Sequence, residues 1–444
     1  MSIGYKLWLA LSLLLAGTGA VALARRAASV PVWAPESEPV AMPQGQPAAL
    51  PPTAIIEAGE LLAGHGKELH SMRILVKNGR IEAVGPNVSA PGAVVYDLRS
   101  QTVMPGLIDV HVHLTRHFGP NGNATDPEET PMEFALGAAN NLWVTLMAGF
   151  TTVQSVGAPP DATLRQYVQQ GIIPGPDILT SYHDVFGSPK VGDDNVLRAK
   201  VDMLKYEGAD LVKIFASNSE RLGGQETLTL HQLQVLCGEA NRQGLRTLVH
   251  AYRGSVHNAT AAGCTEVEHG DWGTQDDLNV MARKGTYFDP QVGLVVQNYI
   301  RFQKQFTGSG SYDPKGFEIM KEGLHALDDK IFLEAMHTPG LRVVMGTDAV
   351  AGAFGHQEEE IIRRIKLGQP AMDAIDGATS LNAESLGLGK QLGSIAPGYM
   401  ANIIAVTGNP LIDPTALREV SFVMKHGTVY KDTVSAAHQD SAHP

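Results

Sequence analysis

The sequence predicts an α/β protein: a (β/α)8 TIM barrel joined to a small β-sandwich domain that takes strands from both chain ends. Three observations predict it. Short apolar runs alternate with amphipathic helical segments between residues 105 and 390. β-rich stretches with turn signals flank that region on both sides. Ionisable residues stand at or near the ends of several apolar runs, which is where barrel enzymes place their chemistry. A chain of 444 residues is long enough for such a barrel with an attachment.

Composition narrows the function. Hydrophobic residues make up 43% of the chain, which excludes disorder for most of it. The 34 Lys and Arg against 46 Asp and Glu give a formal charge of −12, without the basic footprint of a nucleic-acid binder. Two cysteines exclude a disulfide scaffold, a four-cysteine zinc site and an all-cysteine iron–sulfur cluster. Beside sixteen histidines, they direct any metal toward imidazole and oxygen ligands.

Taken in chain order, residues 1–24 read as a signal peptide. Lys6 precedes an apolar run from Leu7 to Ala24, and Ala22-Leu23-Ala24 offers small residues at the cleavage positions. This points to a secreted or periplasmic protein with no stable membrane span after cleavage; an uncleaved membrane anchor is the alternative. Residues 25–52 form a Pro/Ala-rich linker. Residues 53–104 hold strand-like runs at Ala54–Ala58, Met72–Lys77, Arg80–Val84 and Val94–Leu98, with Asn78-Gly79 as a hairpin turn. Residues 391–432 repeat that character and complete the small domain, and 433–444 form a flexible tail. Cys237 and Cys264 could pair outside the cytoplasm, but they fall in helical-looking stretches, Leu230–Gln243 and Val256–Cys264, and are expected as buried free thiols.

Eight runs supply the barrel strands: Leu107–His113, Thr151–Val156, Asp177–Tyr182, Leu211–Ala216, Arg246–His250, Glu266–His269, Tyr287–Asp289 and Leu341–Gly346. Each is short and mostly apolar, as parallel strands buried on both faces must be. His111 and His113 are two apart on the first strand and therefore share a face, so two imidazoles can grip one ion. Lys213 lies inside an apolar strand, where a cation is costly unless neutralised or paired. His250, His269 and Asp348 follow at the ends of strands five, six and eight. Singly, each has a bland explanation as a hydrogen-bonded core histidine, a salt-bridged lysine or a helix-capping aspartate. Six ionisable groups converging on one mouth of a barrel do not.

The chain resembles the metal-dependent amidohydrolase superfamily in its binuclear, carboxylated-lysine form, nearest the imidazolonepropionase-like and Xaa-Pro-dipeptidase-like branch. The residues that carry the likeness are Gly106-Leu-Ile-Asp-Val-His-Val-His, Gly208-Ala-Asp-Leu-Val-Lys-Ile-Phe-Ala-Ser, His250-Ala-Tyr, Glu268-His-Gly, Gly346-Thr-Asp-Ala and Gly393-Ser-Ile-Ala-Pro-Gly. The resemblance implies two divalent metal ions, zinc first. His111, His113 and Asp348 would hold the deeper ion, His250 and His269 the more exposed one. Lys213 would bridge both as a carbamate made with CO2. It also implies metal-activated water as nucleophile, Asp348 as proton carrier, and a homo-oligomer. His183 looks like the family's carbonyl- or carboxylate-contacting residue, and an exposed loop histidine is the alternative. Tyr252 would meet a substrate carboxylate or oxyanion, or else simply pack.

Two positions depart from the branch. Gln154-Ser155 stands where relatives commonly carry Arg-Asp, and Arg253 stands where they often have glycine. Arg253 could grip a carboxylate with its planar fork, or lie solvated in a loop. Long segments at Ser217–Thr227 and Gln291–Phe317 are expected as loops that shape the pocket. No Gly-x-Ser-x-Gly elbow, phosphate-binding glycine loop or helical His-Glu-x-x-His is present. The resulting expectation is hydrolysis of an amide beside a free carboxylate, in a dipeptide or N-acyl amino acid. The branch includes enzymes that cleave the amide of ochratoxin. A cyclic amide, lactone or phosphotriester is the alternative substrate, and a non-catalytic metal-binding protein the alternative class.

Overall fold

The computed structural model describes residues 52–188, 191–321 and 325–434. The expected signal peptide, all but the last residue of the linker and most of the tail lie outside them. Among the described residues no helix is long and apolar enough to cross a membrane. The chain enters through four strands, β1 (Ala54–Leu62), β2 (Glu68–Lys77), β3 (Arg80–Gly85) and β4 (Val94–Pro105). Asn78 and Gly79 link β2 to β3 with φ of 51° and 76°, the left-handed pair that a tight hairpin turn requires. β1 then pairs antiparallel with β2 and parallel with β4. Its register shifts between Ala58 and Glu60, where a Cβ on Gly59 would stand 2.2 Å from the Arg99 carbonyl oxygen.

Pro105-Gly106 turns the chain directly into the α/β core. Its strands are β5 (Leu107–Val112), β6 (Phe150–Ser155), β7 (Asp177–Thr180), β8 (Asp184–Phe186), β9 (Leu211–Phe215), β10 (Arg246–Ala251), β11 (Glu266–His269), β12 (Tyr287–Asp289) and β13 (Arg342–Val343). Each of the eight expected strands is present, and every pair among them is parallel. All residues of β5, β6, β10 except Arg246, β11 and β12 are buried, because strands covered on both faces leave no side free for polar residues.

The strands do not form one uninterrupted ladder. β5-β6-β7 make a three-stranded sheet, and β8 through β13 make a six-stranded one. The third expected strand, 177–182, stops at Thr180, because Tyr182 takes a φ of 54° that no strand can continue through. The chain resumes as β8, a segment the sequence pattern did not reveal. The eighth expected strand, 341–346, is regular only at Arg342–Val343. Beyond it the backbone still reaches β5, through a bond from the Val110 N–H to the Met345 carbonyl and a parallel bridge between Val112 and Ala349.

Helices between the strands begin at strong caps. Thr130 and Glu133 form a capping box at Pro131–Met147, Asp193 caps Asp194–Glu207, and Thr229 with Gln232 boxes Leu230–Arg242. The segment after β12 is not the long loop expected. It contains short helices at Val295–Arg301, Gln303–Phe306 and Pro314–Ile319, gathered around buried Tyr299, Phe306, Tyr312 and Phe317.

Three strands finish the chain: β14 (Ile403–Thr407), β15 (Val420–Lys425) and β16 (Thr428–Asp432). They join the N-terminal four in one sheet of order β16-β15-β14-β4-β1-β2-β3. Strands from both chain ends thus share one sheet. It is hydrogen-bonded as a single sheet, not as the two separate sheets of a sandwich. One apolar face gathers Ile56, Ile74, Leu98, Ile403 and Phe422. The other face, with Met104, Ile404 and Val423, packs on core helices through Ile361, Ile362 and Ile375. Asp177 at the start of β7 pins the sheet to the core, 2.7 Å from His426 Nε2 and 3.2 Å from Lys425 Nζ. Burial alone would raise its carboxyl, but His426 and Lys425 outweigh burial and hold it below the usual range.

The two cysteines correct the sequence reading: they form a disulfide, Cys237–Cys264. Cys264 lies past the turn that follows the helix Gly254–Ala261, before β11, and that placement brings its Cα within 5.1 Å of Cys237 on the neighbouring helix. The crosslink closes a loop of 27 residues. A denatured, unreduced sample should therefore contain no titratable thiol. The Cys237→Ala/Cys264→Ala double variant should lose about 3.5 kcal/mol in denaturant unfolding, from the entropy of a loop this size.

Candidate metal centre

The centre begins with His111 on β5 and His113 just past its end, two residues apart. Asp348 reaches them from the segment after β13, where a φ of 49° turns the backbone back toward the core. Its Oδ1 lies 3.1 Å from His113 Nε2 and 3.4 Å from His111 Nε2. One ligand atom from each of the three falls within 4.8 Å of the others, a spacing that one ion can satisfy.

Lys213 stands in the middle of β9, and its Nζ lies 3.4 Å from His111 Nε2. Burial lowers its pKa, although Glu268 and Asp348 pull the other way. His250 on β10 and His269 at the end of β11 complete the ring, with centroids 4.7 Å apart. Burial first, and the neighbouring lysine second, drives the His250 imidazole down to about 3. Burial likewise lowers His111, His113 and His269. All four rings are therefore neutral at physiological pH, the form in which imidazole ligates. Among the described residues His250 Nε2 is buried with no hydrogen-bond partner, which is costly unless something else takes its lone pair. This donor set fits a buried binuclear metal site.

A bed of carboxylates lies beneath. Glu268 Oε2 is 2.5 Å from His111 Nδ1, which turns His111 Nε2 toward His113, Lys213 and Asp348. Asp289 closes a deeper triad with His111 and Glu268. The two carboxylates of that triad already have a donor: Gln291 Nε2 donates to Glu268 at 2.7 Å and to Asp289 at 2.8 Å. Asp109 bonds Thr347 through both its hydroxyl and its N–H, at 2.6 and 3.1 Å, and so fixes the segment that carries Asp348. Burial raises Glu268 well above the usual range and Glu266 to about 7, and mutual repulsion with Asp289 adds to both.

The six predicted ligands line one cavity of about 280 Å3, together with Tyr252. Tyr252 is buried and stacked on His269 at 5.1 Å, and its hydroxyl donates to Glu220 at 3.0 Å. His183 does not line this cavity. It is half-exposed and 3.4 Å from Glu207. Arg253 is also turned away: its Nε donates to the Gly223 carbonyl at 2.6 Å, and its guanidinium lies over Trp272 at 4.4 Å. Gln154 donates to the Val110 carbonyl at 2.8 Å and accepts from Arg246 at 2.5 Å, so the neutral pair Gln154-Ser155 is structural.

The sequence reading quoted Glu268 only as part of a motif and gave no role to Asp289, Gln291, Glu220 or Arg221. Asp289 ends β12 and was accessible to the same strand-end rule that singled out the others. Gln291 and Arg221 lie in irregular segments, where no periodicity announces which way a side chain points.

The amidohydrolase family model matches residues 102–435. Ochratoxinase of Aspergillus niger is 25% identical over 438 residues, covering 85% of this chain and 86% of that protein. The crystal structure of a Xaa-Pro dipeptidase with methionine bound in its active site superposes with a TM-score of 0.76 at 25% identity, over 85% of this chain and 100% of the other. The A. niger ochratoxinase structure shares the fold at a TM-score of 0.72 and 20% identity, over 86% and 97% of the two chains.

Replacing Glu268 with alanine should free the His111 ring and weaken metal binding by about 10–100-fold. Competitive titration against a chromophoric chelator measures this, and unchanged affinity would show that Glu268 does not orient His111.

Proposed function

The chain belongs to the amidohydrolase family, and on that premise we propose that it hydrolyses an amide bond adjoining a free carboxylate, in a dipeptide or an N-acyl amino acid. The observation that carries the reading is the convergence of His111, His113, Lys213, His250, His269 and Asp348 on one small cavity. The names of the similar proteins, a Xaa-Pro dipeptidase and an ochratoxinase, support an amide as the bond cleaved. We read the two parallel sheets as the wall of one (β/α)8 barrel, supported by the Val112–Ala349 bridge.

His111, His113 and Asp348 would hold one divalent cation, zinc by the donor chemistry, and His250 and His269 a second. When bound, the ions supply Lewis acidity toward the scissile carbonyl and toward water. Lys213 suits a bridge between them. A neutral amine adds CO2 and releases one proton, leaving an anion with an oxygen for each side, and burial already disfavours the ammonium form.

The remaining steps belong to the chain's own groups. Burial would raise the Asp348 carboxyl, but the hydrogen bond from His113 leads the effects that hold it below the usual range. It is therefore a charged acceptor at the cavity wall. It can take a proton from attacking water and return it to the departing nitrogen. Burial and Glu220 raise the Tyr252 phenol well above 10, so it stays a neutral donor committed to Glu220. Phe186 and Phe215, stacked 4.5 Å apart, give the cavity an apolar wall. The Cys237–Cys264 disulfide supports secretion to an oxidising compartment.

Metal-loaded protein screened against dipeptides and N-acyl amino acids should release the C-terminal residue from some members. Cleavage confined to lactones or phosphotriesters would refute the reading. Lys213→Ala should lose bound metal and turnover together, by about 10³-fold or more in kcat if a bridging ligand is removed. Elemental analysis and a steady-state assay on the same sample decide this.

A further inference from the structure

We propose that Arg221, and not Arg253, grips the substrate's free carboxylate, an assignment that rests on the substrate class above. Arg221 lies in a single 3-10 turn, Glu220–Leu222, within the segment after β9, and it lines the cavity that the metal ligands line. Its side chain is only 12% exposed, so its guanidinium is a largely dehydrated cation at a fixed place.

The fixing is specific. Its Nη1 donates to Glu220, and its Nε donates to Ser311 Oγ at 3.2 Å. The plane lies over the Tyr312 ring at 4.0 Å and near Tyr299 at 5.3 Å. Glu220 is held in turn by Ser219 at 2.8 Å and by the Tyr252 hydroxyl at 3.0 Å, so the pair is tied to the wall that carries His250 and His269. A guanidinium has five N–H donors, and these bonds use two. The rest remain for a planar acceptor, and a carboxylate is the planar anion that two parallel N–H bonds fit. The ion pair with Glu220 thus orients the fork without exhausting it.

Arg116 also lines the cavity, but its side chain is exposed. An anion there must compete with water, and the side chain must be ordered on binding, so it discriminates less. Arg253 spends its Nε on Gly223 and its face on Trp272 and is not among the lining residues.

The test compares N-benzoyl-L-phenylalanine with its C-terminal carboxamide on the metal-loaded full chain. Wild type should prefer the free acid. Arg221→Gln should raise KM for the acid about 30–100-fold, the loss expected for a charge-assisted bidentate contact, and change the carboxamide less than about threefold. Arg221→Lys should keep a preference for the acid with KM raised about tenfold, and it carries the test if the glutamine variant does not fold. Metal content of each variant separates a lost contact from a lost centre. Equal losses on acid and carboxamide, an unaltered preference, or transfer of the effect to Arg116→Gln would each overturn the assignment. Wild type that cleaves neither compound nor any other N-acyl amino acid would instead overturn the substrate class, and the assignment with it.

Discussion

The interior of this protein must hold charge where water cannot reach it. Parallel strands covered on both faces need apolar side chains, yet Asp109, Lys213, Glu266, Glu268 and Asp289 are all buried among them. Their disposition follows from that cost. Asp109 accepts from Thr347, Glu268 and Asp289 accept from Gln291, and Asp289 also pairs with Arg364, which lies 3.1 Å from Asp289 and 2.8 Å from Glu360, while burial pushes Glu266 up to about 7. The imidazoles stand above them, and His250 Nε2 has no hydrogen-bond partner among the described residues. Acids beneath and neutral imidazoles above make a polarised floor, and this order orients His111 and steadies the segment that carries Asp348.

The irregular segments depend on the same floor. Glu360 accepts from the N–H groups of Val292, Gly293 and Leu294, and Arg364 ties Glu360 to Asp289. That arrangement fixes the turn which presents Gln291 to His111. Buried ion pairs of this kind contribute little net stability compared with apolar packing, but removing one partner strands the other. Their value here is positional: they steady the surroundings of His111 from the helix Glu358–Lys366.

Much of this was legible in the sequence. The eight apolar runs and the alternation at His111 and His113 follow from local rules, because parallel strands and strand pleat are local properties. The six ionisable positions at strand ends were visible for the same reason. What escaped depends on backbone departures that apolar patterning does not encode. Tyr182, Gln291, Arg253 and Asp348 all take positive φ, and each redirects the chain at the rim of the site. Arg253 was the natural candidate by its position after His250, but its strained backbone points it at Gly223 and Trp272. Arg221 lies in a glycine-flanked turn with no period at all. The disulfide was missed because Cys264 looked like the end of a helix when it lies past the turn that follows the helix.

The accessory sheet has a consequence for how the molecule is made. Its order interleaves the first and last parts of the chain, with β14 hydrogen-bonded to β4 in the register Ile403↔Pro105. During synthesis, β4 therefore waits with an open edge until about three hundred further residues have emerged, the long-range pairing that makes folding slow. Its partner-seeking backbone is a template for other extended chains in that interval. The final strands thus act as a closing clasp, and a molecule cut short before residue 403 would leave that edge bare and Asp177 without Lys425 and His426.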